Sequence, residues 1–148
     1  MGYYSEVAYV MSFVDSEAKK KFITYIVVRG GDTYKALKEC TVGMDDDMIT
    51  FHAGCTKWYD SFADVTAHYD LMAVLNAEPF NELGGFYFVR MGEDMSDIEH
   101  RSGGDDGCSD HAMDSIEIRR ELLGRELLVG TATDTCTGVE DYVKNIAM

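Results

Sequence analysis

The sequence predicts an α+β fold in one domain, and three observations carry that prediction. Residues 4–14 alternate apolar and polar character at the period of a strand. A helical apolar stripe follows directly. A second strand–helix–strand succession then runs through residues 40–91. At 148 residues, with 46% hydrophobic and 11% aromatic side chains, the chain is long and apolar enough to bury a core without staples. It has a single proline and no Pro/Gly/Ser-rich linker, so residues 1–148 are expected to form one unit. Its parts are a core over about 3–92, an acidic loop over 93–114 and a C-terminal extension over 115–148.

Each element has its own signal. Residues 4–14 are rich in aromatic and β-branched side chains, as strands are. Asp15 and Ser16 offer an N-cap to a helix over 17–28. Its inward stripe is Ala18, Phe22, Ile23, Ile26 and Val27, with Lys19, Lys20 and Lys21 on the wet side. Gly30 and Gly31 end it. Residues 32–39 fit either a short helix capped by Asp32 or an early strand start. Cys40, Val42 and Met44 alternate, Asp45-Asp46-Asp47 turns, and Ile49, Phe51 and Ala53 alternate again, which reads as a hairpin. Ser61 and Asp64 resemble a capping box before the helical stripe Phe62, Val65, Tyr69, Met72 and Leu75, which stops short of Pro79. Residues 85–91 are strongly β-prone, with Gly84-Gly85 read as a turn. The order β-α-β-β-α-β predicts a ferredoxin-like antiparallel sheet with two helices on one face.

Beyond residue 92 the character changes. Residues 93–117 hold nine acids (Glu93, Asp94, Asp97, Glu99, Asp105, Asp106, Asp110, Asp114 and Glu117) against Arg101 alone. With Gly103, Gly104 and Gly107 among them, this stretch is expected to be a mobile loop and not a helix. An extra strand is expected over 116–122, and a short terminal helix over 139–146.

Charge and motifs exclude several functions. The chain carries 27 acids, 13 bases and a net charge of −14. Such a field repels nucleic acid and anionic membranes and favours basic proteins or cations. No apolar run reaches the ~18 residues that cross a bilayer, and the N-terminus lacks the pattern of a signal peptide. Gly2 lacks the Ser or Thr at position 6 that myristoylation needs, since Glu6 stands there. Cys40, Cys55, Cys108 and Cys136 form no CxxC pair, so a reducing cytoplasm is expected. Nucleophile elbow, Walker loop, dinucleotide fingerprint and HExxH are all lacking. Cys108 and His111, with His100 nearby, make a weak zinc pattern, and the acids lack EF-hand spacing. Neither a cofactor nor a metal is therefore expected. His52 and Cys55, three apart on a strand, face opposite sides, and His68 reads as a structural histidine beside the apolar stripe.

Topology gathers a more specific constellation. In the predicted sheet the first strand starts where the third and fourth end. That corner collects Tyr3, Tyr4 and Ser5, then Lys57, Trp58, Tyr59 and Asp60, then Arg90, Glu93, Asp94 and Asp97. Trp, Tyr and Arg are the residue types of binding hot spots. The plainer alternative is a packed aromatic corner in which Arg90 pairs with a carboxylate and holds the acidic stretch. In a catalytic version Arg90 would hold an anion, and Glu93 or Asp94 would be the acid or base.

The same segments carry a resemblance. G-Y-Y-S-E-V-A at 2–8, K-W-Y-D-S-F-A-D-V at 57–65, and F-V-R-M-G-E-D at 88–94 with D-I-E at 97–99 resemble a family of small tailed-bacteriophage and prophage proteins. The likeness runs over about residues 2–122. It implies a viral origin and a bacterial host cytoplasm, and it transfers no activity and no catalytic residue. With the acidity, it leads to the expectation of an accessory protein that binds and inhibits a host protein, such as a defence or transcription factor. The binding site is expected at the corner, without direct nucleic-acid or membrane binding. A small enzyme acting on a nucleotide or other anionic metabolite is the alternative, and a virion or assembly component is the third reading. That third reading brings with it the expectation of a homodimer through sheet edges or faces, since an exposed edge strand invites pairing.

Overall fold

The computed structural model describes residues 3–43, 46–94, 96–121, 124–129 and 136–146. Met44, Asp45 and Leu122, which entered the expected hairpin and the expected extra strand, lie outside them. Strand β1 (Ser5–Phe13) has Val7, Tyr9, Met11 and Phe13 on one face and Ala8, Val10 and Ser12 on the other, all buried. A strand covered on both faces is a central one. Helix α1 (Ser16–Arg29) begins where Asp15 Oδ1 accepts the Ala18 N–H at 2.8 Å. It ends where Gly30, at φ 64°, turns its N–H onto Ile26 O. The ambiguous stretch is a helix, α2 (Gly31–Lys38), with Asp32 in its first turn and Gly30 at the cap position.

Strands β2 (Thr41–Gly43) and β3 (Met48–Thr56) form the expected hairpin, and helix α3 (Ala63–Ala73) and strand β4 (Gly84–Gly92) follow. Next come β5 (Ile98–Gly104), α4 (Asp106–Asp114), β6 (Ile116–Glu121), β7 (Gly124–Val129), β8 (Cys136–Gly138) and α5 (Val139–Ile146). Six strands make one antiparallel sheet in the order β5-β4-β1-β3-β2-β8, and β6 and β7 pair separately. The predicted class, α+β with an antiparallel sheet, is what the structure shows.

The main core lies between the odd face of β1 and helices α1, α2 and α3, where Phe22, Ile26, Leu37, Leu71 and Phe88 interlock. Val139 and Tyr142 of α5 join it. The opposite face packs on Ala112 of α4 and on Ile116. The sheet therefore has helices on both faces, where two on one face were predicted.

Four further expectations are corrected. The acidic stretch is ordered as β5 and α4, not a loop: Asp105 Oδ2 accepts the Cys108 N–H at 3.0 Å and caps α4. Gly103 and Gly104 serve close packing. Gly104 sits at φ 80°, and a Cβ there would lie 2.4 Å from Gly84 O. Gly84 and Gly85 open β4 and do not turn; a Cβ on Gly85 would meet Asp105 O at 2.6 Å, so the missing side chain lets α4 seat on the sheet. Ser61 caps nothing. The residue at the cap of α3 is Phe62, whose N–H is held by Tyr59 O at 2.9 Å. Lys19 is not wet: its Nζ, buried at 2% exposure, donates to Gly43 O and Asp46 O at 2.5 and 2.6 Å. It also lies 5.2 Å from the Tyr142 ring centroid. Two carbonyls and an aromatic face replace the water that this ammonium gives up.

Candidate functional site

Because β1 runs antiparallel to both neighbours, Ser5 pairs with Thr56 on one side and Gly92 on the other. The corner gathers as the sequence implies. Tyr3 N–H donates to Tyr59 Oη at 2.6 Å, and Tyr3 Oη donates to Asp97 Oδ2 at 2.7 Å while accepting from the Asp94 N–H. That bond to Asp97 raises the Tyr3 phenol above its ordinary pKa. Tyr4 N–H donates to Glu93 Oε1 at 2.8 Å, and Lys57 Nζ sits 5.8 Å from the Tyr4 ring centroid. Tyr59 meets Phe62 edge to face at 5.1 Å. Tyr4 and Phe62 are more than a third exposed, so two aromatic rings of this corner reach solvent, with Glu93 bonded to the Tyr4 backbone.

Arg90 is the bracket of the corner. Its Nη1 and Nη2 donate to both Asp97 oxygens at 3.0 and 2.8 Å, its Nε to Glu99 Oε1 at 3.1 Å, and Nη1 also to Ser5 Oγ at 3.2 Å. The bond to Asp97 holds the guanidinium protonated well above its usual range. Burial pushes the Glu99 carboxyl up, but hydrogen bonds from Arg101 and Arg90 outweigh it and hold the group below the usual carboxylate range. With four hydrogen bonds made inside the protein, Arg90 has little left for an outside anion.

Trp58 leaves the constellation. It lies just beyond the end of β3, between exposed Lys57 and half-buried Tyr59, and enters the core beside Phe51, His68 and Phe88. Its Nε1–H donates to Tyr69 Oη at 2.8 Å.

Sequence reasoning placed His68 as structural but missed the chain it completes. Tyr9 Oη lies 2.6 Å from His68 Nδ1, and His68 Nε2 lies 2.5 Å from Glu39 Oε2. A neutral ring that accepts from Tyr9 at Nδ1 and donates to the carboxylate from Nε2 satisfies both contacts. Cys40 Sγ is 3.3 Å from the same hydroxyl. Burial lowers the His68 pKa, against the pull of Glu39, and pushes the Cys40 thiol up to about 12. Tyr9, His68 and Cys40 are sealed from solvent while Glu39 reaches it, so this chain ties the core to the surface and orders it. Period two puts Tyr9 on the helix face, but its partner His68 lies far along the chain on α3 and leaves no sequence signal.

Cys108 is buried while His111 is exposed, so that pair diverges, and no group of three or more His, Cys, Asp or Glu converges among the described residues. Two clefts flank the end of α3. One, of ≈ 570 Å³, is lined by Tyr25, Arg29, Asp70, Glu78 and Phe80 among others. The other, of ≈ 540 Å³, has Tyr69, Asp70, Asn76, Phe86 and Arg101 in its walls. Among the described residues no helix is long and apolar enough to cross a membrane. No protein-family model, curated protein or solved structure matches the chain.

Proposed function

We propose that this protein is a phage-encoded accessory factor that binds and inhibits a host protein by covering a basic, nucleic-acid-binding surface. The observation that carries the proposal is the fixed row of carboxylates on α4. Asp106, Asp110 and Asp114 are exposed and four residues apart, hence on one side of the helix at a spacing of about 6 Å. Among the described residues none of the three makes an ion pair. A polyanionic row held in place before binding costs less ordering entropy than a loop that must settle. The exposed rings of Tyr4 and Phe62 at the corner supply apolar anchors of the kind that dominate binding energy. Viral origin and action in a bacterial cytoplasm rest on the motif resemblance. The same proposal takes the β1-α1-β2-β3-α3-β4 core as ferredoxin-like, supported by the strand order β4-β1-β3-β2.

A tagged pull-down from bacterial lysate, with and without nuclease, tests it. One dominant host protein that survives nuclease, elutes with salt and loses its nucleic-acid binding to this chain is the expected result. An empty pull-down, or a captured protein that still binds nucleic acid, overturns it. The two clefts favour a second reading, a small-molecule site for a nucleotide or other anionic metabolite, because their volumes lie in the ligand range and each has an arginine in its wall. A thermal-shift panel of nucleotides tests that reading, since a true ligand stabilises the native state by mass action.

A further inference from the structure

The sheet ends in two edge strands, the 3-residue β8 and the 7-residue β5. The outer side of β2 is paired with β8, from Thr41↔Gly138 to Gly43↔Cys136. Strand β5 has β4 on one side and, among the described residues, no strand on the other. The bonds at the two ends of β5 fix which of its peptide groups face outward. Gly92 N–H donates to Asp97 O, and Asp105 N–H donates to Gly84 O, both at 2.8 Å. Both continue the unbroken register that runs from Gly85↔Gly104 to Met91↔Ile98. Bonded positions alternate in an antiparallel ladder, so Glu99, Arg101 and Gly103 bond to β4. Ile98, His100 and Ser102 turn their peptide groups away from it. Gly104 agrees, for its outward N–H is taken by Asn76 Oδ1 at 3.1 Å. Proteins blunt open edges with proline, bulges or a covering element. Strand β5 has neither proline nor bulge, its charged side chains Glu99 and Arg101 are of opposite sign, and Asn76 reaches it at the Gly104 end.

We propose that two copies of this chain pair β5 against β5, antiparallel, about a two-fold axis at His100. In this register Glu99 stands opposite the second copy's Arg101, and the symmetry repeats that pair. A register centred on Arg101 would set guanidinium against guanidinium. Arg101 is ready for the contact: its guanidinium lies 4.0 Å from the Tyr69 ring centroid, and within the chain it bonds Glu99 through Nε alone. The His100 N–H donates to the second copy's His100 carbonyl, and the Ser102 N–H to the second copy's Ile98 carbonyl, each twice by symmetry. A contact whose own charges balance, between bodies that each carry −14, should strengthen from low to moderate salt as the distant repulsion is screened. The proposal is independent of the host-binding function and survives its failure.

Sedimentation velocity from low to high micromolar concentration tests it. Wild type is expected to pass from monomer to dimer. Ser102→Pro removes an outward N–H and no β4 bond, so it should stay monomeric while melting as wild type does. Should that variant fail to fold, cross-linking decides in a Cys55→Ser background. Residues opposed across a bonded antiparallel pair have Cα atoms about 5.5 Å apart, within disulfide reach, so His100→Cys should oxidise to a covalent dimer. Ser102→Cys should not, because its counterpart lies four residues along the strand, about 13 Å away. Wild type monomeric throughout, an undiminished Ser102→Pro dimer, or equal cross-linking at both positions overturns the proposal.

Discussion

Two acidic regions of this molecule put their carboxylates to opposite use. At the corner, Asp97 and Glu99 close around Arg90, and Glu99 also holds Arg101, so two acids meet two bases and the charge is consumed in bracing the fold. On α4, Asp106, Asp110 and Asp114 face water without an ion pair among the described residues. Acid density along the chain does not separate these roles. The separation comes from which carboxylates the sheet brings to an arginine, and it predicts that the corner governs stability while α4 governs association.

The largest effect should come from within the corner motif itself. Trp58→Ala empties core volume and should cost about 3–5 kcal/mol in urea unfolding, whereas Tyr4→Ala, two-fifths exposed, should cost under about 0.5 kcal/mol. Equal losses would mean that Trp58 is not a core residue. Next, Arg90→Ala leaves Asp97 and Glu99 half-buried and facing each other, and should lower stability by about 2–3 kcal/mol. A loss below about 0.5 kcal/mol would place the bracket elsewhere.

The sealed histidine gives a smaller, pH-dependent effect. Burial depresses the folded-state pKa of His68, so its contribution is present above the unfolded value of about 6.5 and is lost as pH falls from there through the lowered folded value. Wild-type stability should therefore decline between pH 7 and 5.5, and His68→Asn should flatten that decline. An unchanged slope in the variant would assign the dependence to other groups. The smallest stability change belongs to α4: D106N/D110N/D114N should unfold within about 0.5 kcal/mol of wild type while losing affinity for the basic partner.

What the sequence disclosed was what is written locally. The alternation of β1, the Asp15 cap and the Gly30 stop each act within a few residues, and all three stand. The fate of Trp58 was not written locally, because it follows the end of β3 and only the rings of Phe51, His68 and Phe88 around it take it out of the predicted corner. Residues 93–114 misled because Gly103 and Gly104 carry the same letter whether they serve flexibility or close packing. Only the approach of β4 and of Leu75 and Asn76 distinguishes the two. Lys19 was hidden for the same reason, as the carbonyls of Gly43 and Asp46 that hold it belong to another element. The corner could be read because topology alone decides it, and the Tyr9–His68–Glu39 chain could not because three elements build it.

The salt dependence of binding between the captured host protein and this chain, wild type against D106N/D110N/D114N, tests the central claim most directly. Affinity should fall steadily as salt rises, and the triple variant should bind more weakly at low salt with a shallower dependence, because screening acts on exposed charges. An affinity that holds to high salt, or a triple variant that binds as wild type does, would contradict the account.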